Sequence, residues 1–342
     1  MSGGVEDIDE MEAALAGDPG SEELRERLLE AYAMDRDARR AARRAEHIEW
    51  FVVNRPRSDL CRTPYMFVDA QASPELHQRL RGLWFAALEA HPGDSAVLRG
   101  AVNFLAGNEP GEAERLLRGA LATKPERSEL WLDLGRLAKD PAARVAHLER
   151  ARELGDRAPN LLVWIARAAA AAGDLERADR AGRELLQLVK AARKRFGDKL
   201  DWPDRGGELW SRARKSARGV ASAQKLVQAH SDHAYRKHWG HTVRGLVACA
   251  RGDVDAAVRH LRESADVVPD SRLSAYGPAV ELARAVCQKG RWSEAAAYLR
   301  AWQAQRDDAR VDRWLAQVER AELPDAPDAA GPAGPDPGSS AG

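Results

Sequence analysis

The chain has 342 residues, with 53 basic and 53 acidic side chains and a formal net charge of zero, so its overall balance calls for neither nucleic acid nor an anionic membrane. Ala, Leu, Arg and Glu, all good helix formers, dominate, and no stretch alternates apolar and polar residues long enough to form a sheet. No run approaches the roughly 20 apolar residues that span a bilayer, and the acidic start 1–14 lacks the features of a signal peptide. Cys61, Cys249 and Cys287 are too few and too scattered for a disulfide framework, which favours buried, reduced thiols in a cytoplasmic protein.

Residues 1–54 read as an N-terminal helical cap of three helices, at about 6–16, 22–33 and 37–53. Ser21 is placed to cap the second. The third runs from a basic end, Arg36 to Arg44, into an apolar end with Ile48, Trp50, Phe51, Val52 and Val53. The segment 55–73 has no helical period and contains Leu60, Cys61, Tyr65, Met66, Phe67 and Val68. It is too apolar to hang free, so it either caps a stack of helices or folds over a groove as a lid.

From 74 to 191, and again from 238 to 321, the chain repeats. With Asp94 opening a 34-residue unit, Ala113, Leu117, Ala120 and Pro125 fall at positions 20, 24, 27 and 32. The next unit, from Ser128, has Trp131, Leu134 and Gly135 at positions 4, 7 and 8 and turns at Asp140-Pro141. A third, from Pro159, turns at Gly173-Asp174 and has Ala178 at position 20. A fourth, from His238, has Gly245, Gly252-Asp253, Ala257, Leu261 and Pro269 in the same phase. A fifth, from Tyr276, has Ala283, Gly290, Ala295, Leu299 and Trp302. Small residues at positions 8 and 20 let paired helices approach, Gly ends the first helix, and the following Asp caps the second.

These residues resemble the tetratricopeptide repeat over about 94–191 and 238–307. The last two units also resemble the C-terminal half of certain bacterial repeat proteins, through His238-Trp-Gly-His241, Gly245, Arg251-Gly-Asp253 and Ser274-Ala-Tyr-Gly-Pro278. The resemblance implies an all-α fold, a right-handed α-solenoid of helix–turn–helix repeats with non-repeat helical caps. One residue departs from it: Arg244 occupies position 7 of the fourth unit, where a buried Leu is the rule. It must either reach out of the stack or be held by a buried acid.

Between the repeats, 192–237 reads as a basic helical insertion, with a helix from 208 to about 229 and a turn before His238. Arg193, Lys194, Arg195, Arg212, Arg214, Lys215 and Arg218 there form a candidate phosphate-facing stripe, with Trp202 and Trp210 near enough to stack on bases. A solvated helix face is the plainer reading. The end, 322–342, is Pro, Ala, Gly, Asp and Ser, a composition for a disordered tail.

No nucleophile, phosphate-loop or metalloprotease motif occurs. His230, His233, His238 and His241 have the only metal-like spacing, but the expected turn lies between the pairs, so no metal and no cofactor is expected. The adjacent acidic pairs Asp9-Glu10, Glu22-Glu23 and Asp307-Asp308 read as solvated charge. In the repeat the resemblance points to, the first helix of each unit lines a concave groove. That places Arg136, Lys139, Asn160, Arg167, Trp239, Thr242, Arg284 and Gln288 on the candidate ligand-binding surface. Three arginines at one inward phase suit carboxylates or phosphates. The expected function is a non-catalytic scaffold or adaptor binding a protein or peptide segment, acidic in character, with no membrane partner. The alternative is a regulatory receptor for a small ligand or nucleic acid, using the basic insertion and the His cluster. A cryptic enzyme ranks third.

Overall fold

The computed structural model describes residues 8–34, 38–197, 217–267, 273, 277–305 and 308–325. Among them the chain forms α-helices and two short 3-10 turns, with no strand. The residues divide into two compact units, the first ending at Leu137 and the second beginning at Ala138. The division falls inside the second repeat.

The first unit holds α1 (Ile8–Gly17), α2 (Glu22–Met34), α3 (Ala38–Asn54), α4 (Pro74–Ala90), α5 (Ser95–Ala106), α6 (Pro110–Thr123) and α7 (Ser128–Leu137). Each packs on the next in sequence, and α5 also meets α7, which is the layering of a helical solenoid. Helical spacing explains the first pair: Ile8, Met11 and Leu15 of α1 share one face and bury against Leu28 and Tyr32. Ser21 caps α2 as expected, accepting a bond from the Leu24 amide. The apolar end of α3 buries Ile48, Phe51 and Val52, whereas Val53, expected inside, points out and is 60% exposed. It lies on the side of the helix away from those three.

The irregular segment is part of the core. Leu60, Cys61, Met66 and Val68 pack with Phe51, Trp84, Ala101 and Phe104. Asn103 of α5 donates to the carbonyls of Cys61 and Thr63, and Asn108 donates to that of Val68. Arg44 of α3 donates to the carbonyls of Tyr65 and Phe67, at 2.7 Å each. The backbone carbonyls of this irregular stretch are thus satisfied by side chains from α3, α5 and the turn after α5.

The second unit holds α8 (Pro141–Glu153), α9 (Leu161–Ala171), α10 (Leu175–Phe196), α11 (Ala217–Arg251), α12 (Val254–Ala265), α13 (Val280–Gln288), α14 (Trp292–Gln303) and α15 (Ala309–Glu319). The turns read from the sequence inside these repeats fall where expected. Gly173, Gly252 and Gly290 have positive φ at the inter-helix turns. Asp174 and Asp253 then cap α10 and α12, accepting from the amides of Arg177 and Ala256. Ala178, Ala257, Ala283 and Ala295 are fully buried where helices cross.

The expected turn between His233 and His238 does not occur: α11 runs unbroken through it for 35 residues. No Gly or Pro interrupts 221–239. Ser231-Asp232, the only polar punctuation, stays helical because Asp232 accepts from Gln228 and Arg236, each four residues away. The segment expected as a separate insertion is therefore, among the described residues, the end of α10 and the first half of α11. Arg212, Arg214, Lys215, Trp202 and Trp210, the side chain of Arg218 and the tail beyond 325 lie outside the described residues.

Candidate functional site

Arg244 is held by a buried acid. Asp179 of α10, 7% exposed, accepts from its Nε at 3.2 Å and also pairs with Arg183 and Arg251. One carboxylate thus anchors three arginines at the α10–α11 contact, leaving net positive charge there.

Arg167 of α9 lies where α11 packs against both α9 and α13. Its guanidinium sits 3.9 Å from the ring centroid of Trp239 and 3.6 Å from the Glu281 carboxylate of α13. The side chain stays 36% exposed. A cation over an indole face is attracted by the ring quadrupole, which favours Arg167 at this position. Arg284 of α13 is half-buried, while Lys139 and Gln288 are exposed.

Three residues expected on the groove surface are inside instead: Asn160, Trp239 and Thr242 are at most 4% exposed. For Trp239 and Thr242 the reason is that α11 is covered by α9, α10, α12 and α13 together, so its inward face meets helices rather than solvent. Trp239 serves as the platform beneath Arg167. The third arginine of the expected row, Arg136, belongs to the first unit, where it lies 3.7 Å from Asp133, which also takes a two-pronged bond from Arg99.

The four histidines of α11 do not converge. His238 is wholly buried, its Nδ1 donating to the Ser264 carbonyl at 2.9 Å and its ring edge-on to Trp239 and Trp302. Burial, reinforced by Arg167 and His241, pushes its pKa down to about 4 against the pull of the Ser264 bond. His241 instead meets His260 and Glu263 of α12, neither of which sequence spacing singled out. These three open on a cavity of about 480 Å³ whose wall also includes Arg183, Lys190 and Lys237. Burial lowers the pKa of His241 to about 4, and lowers that of His260 as well, so both imidazoles are neutral at ordinary pH.

Of the basic stripe, Arg193, Lys194 and Arg195 are exposed at the C-terminal end of α10. All three cysteines are free and buried, and burial pushes the Cys61 thiol up to about 12 and that of Cys287 up to about 11. A thiol so raised is protonated at neutral pH and is not a ready nucleophile. Among the described residues no helix is long and apolar enough to cross a membrane.

No family model matches the chain, and no curated protein matches it. Among solved structures the chain is similar to the crystal structure of the P58(IPK) TPR domain, at 14% identity over 92% of each chain, with a TM-score of 0.24. A superposition that weak adds nothing to the helix-by-helix description.

Proposed function

We propose that the chain is a non-catalytic helical scaffold that binds an acidic protein or peptide segment at Arg167. The observation carrying this reading is the guanidinium over buried Trp239, paired with Glu281 and still 36% exposed. The indole shields one face of the cation from water, which strengthens a charge-assisted bond to an incoming carboxylate, and the planar fork suits that group. Arg284, on the neighbouring helix, adds a second cation from the same unit. The raised thiols and the absence of a nucleophile motif support a binding role over a catalytic one.

A random-peptide display selection against the full chain tests this. Selected sequences should be enriched in Asp and Glu, and Arg167→Ala should weaken their binding at least roughly tenfold, since such a bond contributes about 1.5–3 kcal/mol. Arg167→Lys should also weaken it, because the ammonium keeps the charge and loses the fork. Selection of neutral or basic sequences, or of peptides indifferent to Arg167, would refute the reading.

A further inference from the structure

We propose that His241, His260 and Glu263 form a binding site for a divalent transition metal of the zinc class. The site goes beyond the peptide-binding reading and does not depend on it.

The three ligand atoms form a nearly equilateral triangle. His241 Nδ1 lies 3.1 Å from His260 Nδ1 and 2.9 Å from Glu263 Oε2, and His260 Nδ1 lies 3.1 Å from the same oxygen. Ligands about 2.1 Å from a metal stand roughly 3.0 Å apart on an octahedral face and roughly 3.4 Å apart on a tetrahedral one. The observed triangle fits the first as it stands and the second after a shift of a few tenths of an ångström.

Hydrogen bonding alone cannot satisfy this arrangement. With Glu263 as a carboxylate, each atom at a corner acts as either a donor or an acceptor, and donors and acceptors cannot alternate around a ring of three. In every tautomer one edge therefore sets lone pair against lone pair or N–H against N–H. A single cation resolves the conflict, because all three atoms then serve as donors of electron pairs to it.

Two neutral imidazoles and a carboxylate are the nitrogen and oxygen set that zinc takes in open, three-ligand sites. Both imidazoles are 14% exposed, which limits their freedom, while Glu263 is 52% exposed and can adjust to a metal. Adjacent cations are paired in part: Lys237 Nζ is 2.7 Å from Asp266, and Arg244 and Arg183 share Asp179 with Arg251. The remaining coordination positions face the cavity, where water completes the shell. The ligands come from consecutive helices, so the metal would also tie α11 to α12.

The test uses untagged full-length chain, stripped with a chelator and titrated with Zn²⁺ against a chromophoric competitor. One Zn²⁺ per chain is expected, with His260→Ala and Glu263→Gln each weakening affinity at least tenfold. The double variant His230→Ala/His233→Ala, on the same long helix outside the triangle, should bind as the parent does. Co²⁺ should give the visible absorption of nitrogen-ligated metal in the parent and lose it in His260→Ala. Glu263→Gln changes an exposed side chain and keeps its shape, so a folding defect cannot mimic its effect; circular dichroism checks His260→Ala. Stoichiometric zinc retained in His260→Ala/Glu263→Gln, or parent binding no tighter than that of this variant, overturns the site. Failure of peptide binding at Arg167 would leave this result untouched.

Discussion

Replacing Trp84 with Ala should destabilise the first unit by about 3–5 kcal/mol. Trp84 of α4 is fully buried and is among the largest side chains in that core. Its ring fills space that α5 leaves open at Gly100: a Cβ built there would stand 2.5 Å from Cη2 and 2.9 Å from Cζ3 of the indole. Removing the ring leaves a cavity bounded by the irregular segment as well as by α5, since Cys61 also abuts Gly100. Collapse is limited because Asn103 pins the Cys61 and Thr63 carbonyls in place. Chemical denaturation followed by circular dichroism measures the loss. Adding Gly100→Leu in the Trp84→Ala background should recover part of it, whereas in the parent the same change should be damaging. A loss below about 1 kcal/mol for Trp84→Ala would mean the indole is not packed as described.

Acid should weaken the second unit between pH 6.5 and about 4 through His238. The ordinary histidine pKa is 6.5, and burial brings that of His238 to about 4. Within that window the unfolded chain takes up a proton that the folded chain refuses, so stability falls as pH drops and is fully present above 6.5. If the whole shift is expressed, the loss is about 3 kcal/mol. His241 and His260 are shifted in the same direction and add to the slope. His238→Gln retains an N–H for the Ser264 carbonyl and does not titrate. Denaturation midpoints across the window should therefore fall less steeply in His238→Gln than in the parent. Identical slopes would show that His238 is solvated.

The helices and their punctuation were legible because they are written locally. Gly252-Asp253 ends one helix and caps the next within two residues, and Ala257 and Ala295 fall at a fixed spacing from such turns. What escaped is what depends on partners far along the chain. Asp179, which holds Arg244, is 65 positions away. Trp84 accounts for a glycine on a different helix. The metal triangle joins His241 to residues 19 and 22 positions later, which no spacing rule along α11 includes. The expected turn before His238 failed for the opposite reason: the repeat phase demanded a break where the local residues favour helix. The same unbroken helix buries Trp239 and Thr242, leaving Arg167 to face solvent above them.

The most direct measurement is a fluorescence-anisotropy titration of a display-selected acidic peptide against parent chain, Arg167→Ala, and Arg193→Glu/Lys194→Glu, at low and physiological salt. The exposed pair at the end of α10 is the main rival surface, and a short oligonucleotide run alongside reports on it. The peptide site at Arg167 predicts a loss of at least roughly tenfold in Arg167→Ala at both salt concentrations. It predicts a small, salt-sensitive change in the α10 variant, because exposed charges are screened. Loss of peptide or oligonucleotide binding in Arg193→Glu/Lys194→Glu, with Arg167→Ala binding as the parent does, would contradict it and move the site to α10.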